Sequence, residues 1–131
     1  MQRLLDYDHR RYWLANGWSI RFRVAPSAVT EARPHGIKYA LTLHDVDGTR
    51  LLGYDNAHGI PRSQAYDHRH RFRRTRDLVA YDFRGSDELI CDFFDAVERA
   101  CNEEGAPFEF ESDETELGAD EENDDDAQIA D

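Results

Sequence analysis

Two histidines separated by one residue are the strongest chemical signal in the chain. His68 and His70 flank Arg69 in the stretch DHRHRF, and on a β-strand both imidazole rings would lie on the same side. Imidazole takes up or releases a proton near neutral pH, and a carboxylate such as Asp55 or Asp67 could orient either ring. This set of residues suits general acid–base catalysis, in which one group removes a proton and another supplies one.

Cleavage of RNA is one reaction that these residues would serve. It needs a base for the 2′-hydroxyl, an acid for the leaving 5′-oxygen, and cations around the phosphorane. We assign His68, His70 and Asp55 to the chemistry. The residues that could contact or orient the nucleic acid are Lys38, Arg69, Arg71, Asn56 and His35. Residue types alone give no distances, so they do not single out this reaction.

The same side chains raise the alternative of a metal site. Asp55, His68 and His70 would supply a set of two histidines and one carboxylate. No HExxH helix accompanies them. Cys91 and Cys101 lie ten residues apart in one predicted helix, about 15 Å along its axis, which excludes a disulfide between them. Cysteines that bind zinc normally lie two to four residues apart, so this pair does not fit a metal site either. Without an HExxH helix or a suitable cysteine pair, we predict no metal and no other cofactor. An endoribonuclease that works without metal is the enzyme class that fits.

Purely structural interpretations of these stretches remain open. Tyr54, Asp55 and Asn56 could simply end a strand, because Asp and Asn side chains bond to nearby backbone. The run RHRFRRTR could be a solvated basic edge strand that discourages pairing between molecules, and Phe72 among cations is common but unspecific in RNA-binding segments. No role is assigned to the isolated histidines His9, His44 and His58.

Two hairpins would position the polar residues. Asn16-Gly17 and Asp47-Gly48 each lie beside runs of alternating polarity, WSIRFRV and IKYALTLHDV, and such dipeptides favour type I′ turns. Further short strands are expected in RHRFRRT and LVAYDF, after a long loop over residues 56–70. The alternation predicts a polar sheet face, open to water or to a partner, that bears Arg21, Arg23, Lys38 and His44.

A helix over residues 86–103 should cover the apolar face of this sheet. Ser86 is the expected N-cap, an apolar stripe runs from Leu89 to Cys101, and Gly105 should end the helix. The predicted fold class is α+β, with an antiparallel β-sheet built from two hairpins plus one or two further strands and a C-terminal helix packed on one face.

The charge is divided unevenly along the chain. The net charge is −12, but residues 103–131 hold 14 acidic side chains and no Lys or Arg, which leaves 16 basic and 14 acidic side chains in residues 1–102. We predict an α+β domain over residues 1–104 and a disordered acidic tail over residues 105–131. Such composition also fits a salt-adapted, halophilic source, archaeal or bacterial.

Four segments resemble the TumE family of toxins from toxin–antitoxin systems. They are HGIKYAL, RLLGYDNAHG, DHRHRF and YDFRGSDELICDFF, in that order, within residues 3–101. One departure is the loop AHGIPRSQAY, which is longer than the Gly-Lys-Gly of the family pattern and has no Lys, so no role is carried over to Arg62. The resemblance implies a growth-inhibiting protein with a cognate antitoxin, often a helix-turn-helix protein.

Together these observations predict a toxin that acts on RNA. The alternative is a non-catalytic module whose basic sheet face binds nucleic acid or an acidic antitoxin surface. Beyond the antitoxin, RNA and a second copy of the chain are the partners considered. The longest apolar runs are too short to span a bilayer, so we expect no membrane partner and a cytoplasmic protein.

Overall fold

The computed structural model describes residues 2–31, 33–56, 67–111 and 115–116. The predicted loop over residues 56–70 therefore lies largely outside the described residues, as does the chain beyond residue 116. The elements in chain order are α1 (Gln2–Leu5), β1 (Arg10–Trp13), β2 (Ser19–Pro26), β3 (Ile37–His44), β4 (Arg50–Asp55), β5 (His68–Arg71), β6 (Arg74–Ala80), α2 (Ser86–Glu104) and β7 (Thr115–Glu116).

The described strands form one antiparallel sheet in the order β6-β5-β4-β3-β2-β1-β7. Strands β1 to β6 are thus neighbours in space in the order in which they follow in sequence. Both predicted hairpins are present, with Gly17 at φ 90° and Gly48 at φ 87° in their turns, a conformation that residues with a side chain rarely adopt. The predicted type I′ turn is wrong, because that turn needs a positive φ at both central residues and Asn16 and Asp47 do not have one. The predicted α+β class is confirmed.

The core lies between α2 and one face of the sheet. Alternate residues of β2, β3 and β4 point to this face, and Leu89, Phe93 and Val97 of α2 are fully buried against them. The ring of Phe93 lies 5.8 Å from that of Phe22 and 6.1 Å from that of Tyr54, in edge-to-face contacts. Removal of apolar area from water is what holds α2 on the sheet.

The ends of α2 differ partly from the prediction. Gly105 ends the helix in the left-handed conformation, at φ 72°, as predicted. The prediction that Ser86 is the N-cap is wrong, because the carbonyl of Gly85 already accepts a hydrogen bond from the N–H of Leu89 at 3.0 Å. Gly85 is therefore the capping position, Ser86 is the first helical residue, and no side chain in the described part of the chain forms a capping hydrogen bond at this end.

The opposite face of the sheet, which we call the polar face, is more enclosed than the sequence predicts. Lys38 is exposed and Arg23 is half-buried, whereas Arg21 and His44 are buried. The expectation of a face open to water is thus wrong for Arg21 and His44. Buried charge requires compensating contacts, so this face is organised by specific polar interactions.

Beyond α2 the chain returns to the edge of the sheet. The N–H of Ala15 donates to the carbonyl of Glu109 at 2.8 Å, and the N–H of Glu111 donates to that of Trp13 at 2.9 Å. Strand β7 then pairs with β1. The disorder of the tail over residues 105–131 stays a prediction. Within this range, residues 109–111 and 115–116 lie against β1. Among the described residues, no helix is both long and apolar enough to span a bilayer.

Candidate functional site

Three of the predicted site residues meet on the polar face. The Nε2 atom of His68 lies 3.0 Å from Oδ1 of Asp55, and the Nε2 atom of His70 lies 2.8 Å from Oδ2 of the same carboxylate. The two Nε2 atoms are 3.2 Å apart. We call these residues the triad, and the sequence prediction of Asp55, His68 and His70 as one cluster agrees with this geometry.

Strand register explains why the triad forms. Asp55 lies opposite His68 in the pairing of β4 with β5, and Gly53 lies opposite His70. Residues that face each other across paired strands share a sheet face, and a diagonal neighbour is within reach of a long side chain. The carboxylate of Asp55 therefore contacts both imidazoles, one directly opposite and one diagonally.

The triad holds its carboxylate in the charged form. Burial raises the pKa of Asp55, but the hydrogen bonds from His68 and His70 lower it further than burial raises it, so the net pKa is well below the usual range. A carboxylate only accepts hydrogen bonds, so both Nε2 atoms carry protons directed at Asp55. Proton exchange with another molecule would then use a ring nitrogen other than Nε2, and His70 is the less buried of the two histidines.

Arg50 completes the charge balance of the triad and was missed by sequence reasoning. Its Nη2 atom lies 2.9 Å from Oδ2 of Asp55. Simple alternation from Leu52 and Tyr54 would place Arg50 on the core face, but His44 pairs with Arg50 while Leu43 pairs with Leu52. This bulge turns Arg50 to the polar face, a common effect of β-bulges, and sequence alone gives no signal of it.

Gly53 leaves room for the Arg50 side chain to cross the sheet. A Cβ atom at this position would lie 3.0 Å from Nη2 and 3.1 Å from Nε of Arg50, and 3.2 Å from Cγ2 of Thr42. These distances are tighter than ordinary van der Waals contacts. The absence of a side chain at Gly53 therefore lets the guanidinium lie against the backbone and reach Asp55.

A comparison with family models identifies the chain. The model described as Toxin TumE matches residues 14–100, which run from the end of β1 into α2 and include the whole triad. The chain belongs to the TumE toxin family. The resemblance seen in the sequence is thereby confirmed, and membership in a toxin family supports a toxin role and suggests an antitoxin partner. No curated protein matches the chain, and no solved structure does.

Two cations predicted to contact substrate lie away from the triad in this TumE-family chain. Because His68 and His70 share one face, Arg69 between them points to the other. Arg69 and Arg71 line a second cavity of about 160 Å³ together with Phe72 and Arg99, and His70 of the triad also borders this cavity. The alternation of β5 predicts the opposite face for Arg69, whereas the register shift between His70 and Arg71 prevents the same inference for Arg71. Their assignment to substrate contact stays a prediction.

Asn56 acts as a clamp between strands. Its Oδ1 atom accepts the N–H of Tyr39 at 2.9 Å, its Nδ2 donates to the carbonyl of Ile37 at 2.8 Å, and the side chain is fully buried. These bonds tie the end of β4 to the start of β3. The strand-end interpretation of Tyr54-Asp55-Asn56 is favoured over substrate contact at Asn56.

His35 belongs to a different cluster from the triad. Its Nε2 atom lies 3.2 Å from Oδ1 of Asp67, which also accepts the hydroxyl proton of Tyr39 at 2.8 Å. The His35 ring contacts that of Phe83, with centroids 4.1 Å apart. Burial and the nearby Asp67 carboxylate raise the pKa of Tyr39. Tyr39 faces the core side of the sheet, and His35 is joined to it through Asp67. The structure therefore does not bring His35 to the triad, which lies on the polar face.

His44 is a buried structural residue on the polar face. Nδ1 lies 3.0 Å from the carbonyl of Gly48 and Nε2 lies 2.8 Å from Oγ1 of Thr42. A carbonyl only accepts, so Nδ1 carries the proton and Nε2 accepts from the threonine hydroxyl. Burial, aided by the positive charges of Arg21 and Arg50, lowers the pKa of His44 to about 3, so this ring stays neutral.

Proposed function

We propose that this TumE-family toxin acts on RNA and cleaves it, with the triad as its proton-transfer centre. The observation that carries the proposal is the convergence of His68 and His70 on the charged carboxylate of Asp55. A carboxylate that holds one ring nitrogen fixes the tautomer and stabilises the imidazolium that forms when the other nitrogen takes a proton. That is what a base for the 2′-hydroxyl requires.

The exposure of the two histidines divides their roles. His70 is 9% exposed, whereas His68 is fully buried and Asp55 is 1% exposed. We assign His70 as the residue that takes the proton from the 2′-hydroxyl and returns it to the leaving 5′-oxygen. Asp55 orients His70 directly. His68 is a positioning residue that acts on His70 through Asp55. Arg50 balances the charge of Asp55 and brings a cation close to the reacting phosphate.

Arg69, Arg71 and Phe72 would contact the nucleic acid outside the reacting position. They line the second cavity together, and a cation beside an aromatic ring can hold a phosphate and stack an unpaired base. Lys38 lies on the polar face, on the strand next to Asp55. These residues supply binding, and the triad supplies the chemistry.

Induced expression in a bacterial host tests the proposal. Wild type is compared with Asp55→Asn, His70→Ala and the His68→Ala, His70→Ala double variant, with growth and total RNA integrity as readouts. Arg76→Gln, on β6 at the far edge of the sheet, is the matched control, and circular dichroism checks folding. Wild type and the control should arrest growth and degrade RNA, whereas folded triad variants should do neither. Growth arrest without RNA breakdown would favour a module that binds without cleaving.

A second candidate function is metal-dependent hydrolysis at the same triad. The two Nε2 atoms are 3.2 Å apart, and each lies 2.8 to 3.0 Å from a different oxygen of Asp55. With one ligand atom from each residue, Asp55, His68 and His70 form a group whose donor atoms all lie within 4.8 Å of one another and that could hold one ion. Ligands about 2.1 Å from one Zn²⁺ ion at angles between octahedral and tetrahedral are separated by roughly 3.0 to 3.4 Å. Stoichiometric Zn²⁺ or Mn²⁺ binding that Asp55→Asn abolishes, with activity lost in EDTA and restored by one ion, would establish this alternative.

A further inference from the structure

A cavity of about 180 Å³ opens on the polar face next to the triad. Four of its lining residues alternate along β2 and β3 on this face, namely Arg23, Ala25, Lys38 and Ala40. Asp8 and His9, from the segment between α1 and β1, form another part of its wall. A water molecule in the liquid occupies roughly 30 Å³, so the cavity accommodates a group several times larger than water.

Strand register joins this cavity to the triad. Arg23 lies opposite Ala40, Ala40 lies opposite Asp55, and Asp55 lies opposite His68. These four residues therefore form one row across β2, β3, β4 and β5 on the polar face. Adjacent strands are about 4.8 Å apart, and Ala40, which lines the cavity, lies between Arg23 and Asp55 in this row.

The charges on the wall of the cavity suit an anion. Arg23 and Lys38 are positive, and Asp8 is the one acidic residue among the described residues that line it. Oδ1 of Asp8 accepts the N–H of Val24 at 2.7 Å, and Oδ2 lies 2.8 Å from Nδ1 of His9. The Asp8 carboxylate is thus occupied by protein donors, while Arg23 and Lys38 are side chains of the kind that bind phosphate.

His9 is held beside the cavity in an unusual backbone conformation. Its φ of 67° lies in the left-handed region, which residues other than Gly seldom adopt. The N–H of His9 donates to the carbonyl of Phe22 at 3.0 Å, and the side chain is 44% exposed. An imidazole whose Nδ1 is held by a carboxylate can donate a second hydrogen bond from Nε2 when protonated. Backbone strain of this kind concentrates at functional sites.

We infer that the cavity binds a phosphate group of the RNA chain adjacent to the one that reacts at the triad. Arg23 and Lys38 are the binding cations, and His9, oriented by Asp8, is a third donor. The inference rests on the proposed function for the identity of the ligand, since a polynucleotide that reacts at the triad through one phosphate places its next phosphate one nucleotide away. It assigns a role to His9, which the sequence left without one, and a specific ligand to Arg23.

Titration of the ¹⁵N-labelled full chain with inorganic phosphate tests the subsite by NMR. Saturable shifts are expected for the Arg23 Nε–H and the His9 ring, with no shift at Arg76 on β6. Arg23→Gln and Lys38→Gln should each weaken phosphate binding roughly tenfold, because each removes a charge-assisted hydrogen bond. Arg76→Gln is the matched control and should bind as wild type does. Lys38 is exposed, so its variant keeps the test valid even where Arg23→Gln fails to fold.

The outcomes separate the subsite from the nuclease activity, which is measured on the same samples. Weakened phosphate binding in both variants, with no RNA cleavage by wild type, supports the subsite and removes the nuclease. RNA cleavage by wild type, with phosphate binding unchanged in both variants, overturns the subsite and leaves the nuclease in place. An equal loss of phosphate binding in Arg76→Gln also overturns it, because the binding would then reflect overall charge.

Discussion

Arg50 reaches the carboxylate of Asp55 across Gly53, with 2.9 Å between Nη2 and Oδ2. The side chains belong to the same strand, five residues apart, and the bulge between them puts both on the polar face. Asp55 thus accepts from two imidazoles and one guanidinium. Three donors around one buried carboxylate keep it charged, which is the condition under which it can orient His70.

Gly53→Ala should separate Arg50 from Asp55. The new Cβ would meet the guanidinium at 3.0 Å, and the flexible end of Arg50 is the group that can move. We expect RNA cleavage to fall at least tenfold while the free energy of unfolding falls by only about 1 kcal/mol. In an Arg50→Ala background the same substitution should have no further effect on cleavage. Additive losses in the double variant would show that Gly53 acts otherwise.

Asp55→Asn should abolish activity with little change in the fold. The amide retains the shape of the carboxylate but loses its charge, so the imidazolium of His70 is no longer stabilised. Loss of a general base typically costs between 10² and 10⁴ in rate, and we expect a fall of at least about 100-fold in the RNA cleavage rate. Near-UV circular dichroism checks that packing is unchanged. Wild-type activity in a folded Asp55→Asn variant would remove the triad from the mechanism.

Acid should destabilise the fold through His44. Its pKa is about 3 in the folded protein and near 6.5 when unfolded, so the unfolded state binds the proton more tightly. The stabilisation is complete above about pH 6.5 and is lost progressively as the pH falls toward 3, by roughly 3 kcal/mol at pH 4.5. Urea unfolding at several pH values measures it. His44→Gln should be less stable at neutral pH and show a smaller decline toward acid, and an unchanged decline would contradict this origin.

Asn56→Asp should reduce stability more than activity. The substitution keeps an acceptor for the N–H of Tyr39 but places a carboxylate oxygen against the carbonyl of Ile37, where Asn56 now donates. An unmade buried hydrogen bond costs about 1–3 kcal/mol, and more for a charged group. Urea unfolding should show a loss of at least about 2 kcal/mol, with RNA cleavage retained at low temperature. Loss of cleavage in a fully folded variant would instead support substrate contact by Asn56.

The cations of the polar face should govern the salt dependence of RNA binding. Each phosphate contact with single-stranded nucleic acid contributes about 0.7 to the slope of log K against log salt concentration. The binding is measured by fluorescence anisotropy with a labelled oligoribonucleotide, in a His70→Ala background to prevent cleavage. The slope should be smaller by about 0.7 for Lys38→Gln and for Arg23→Gln. Arg76→Gln should leave the slope unchanged. Equal slopes in all three variants would place the RNA elsewhere on the protein.

The sequence predicts the hairpins and α2 well because the decisive features are local. Asn16-Gly17 and Asp47-Gly48 mark the positions of the two turns, although not their type, and the alternation of β3 assigns its faces. The pairing of β5 with β4 is not local, since residues 56–67 separate the two strands in the chain, and no nearby residue fixes the register. The triad was therefore predictable as a set of residue types, and its distances were not.

Three features of the site escaped sequence reasoning for separate physical reasons. The bulge that turns Arg50 to the polar face depends on tertiary pairing. The polar face is enclosed, so His44 is neutral and structural, and neither composition nor spacing shows that. His9 looked isolated in sequence, yet its backbone and ring are held by Phe22 and Asp8. Each case depends on contacts between segments distant in the chain.

The chemistry of the RNA ends tests the central claim most directly. Purified wild type and His70→Ala are incubated with total RNA in EDTA, and the termini of the products are determined. Proton transfer at the triad predicts cleavage by wild type alone, with 2′,3′-cyclic phosphate and 5′-hydroxyl ends, because the 2′-hydroxyl is the nucleophile. Absence of cleavage in EDTA, 5′-phosphate ends that appear only when a divalent ion is added, or equal cleavage by His70→Ala would contradict it.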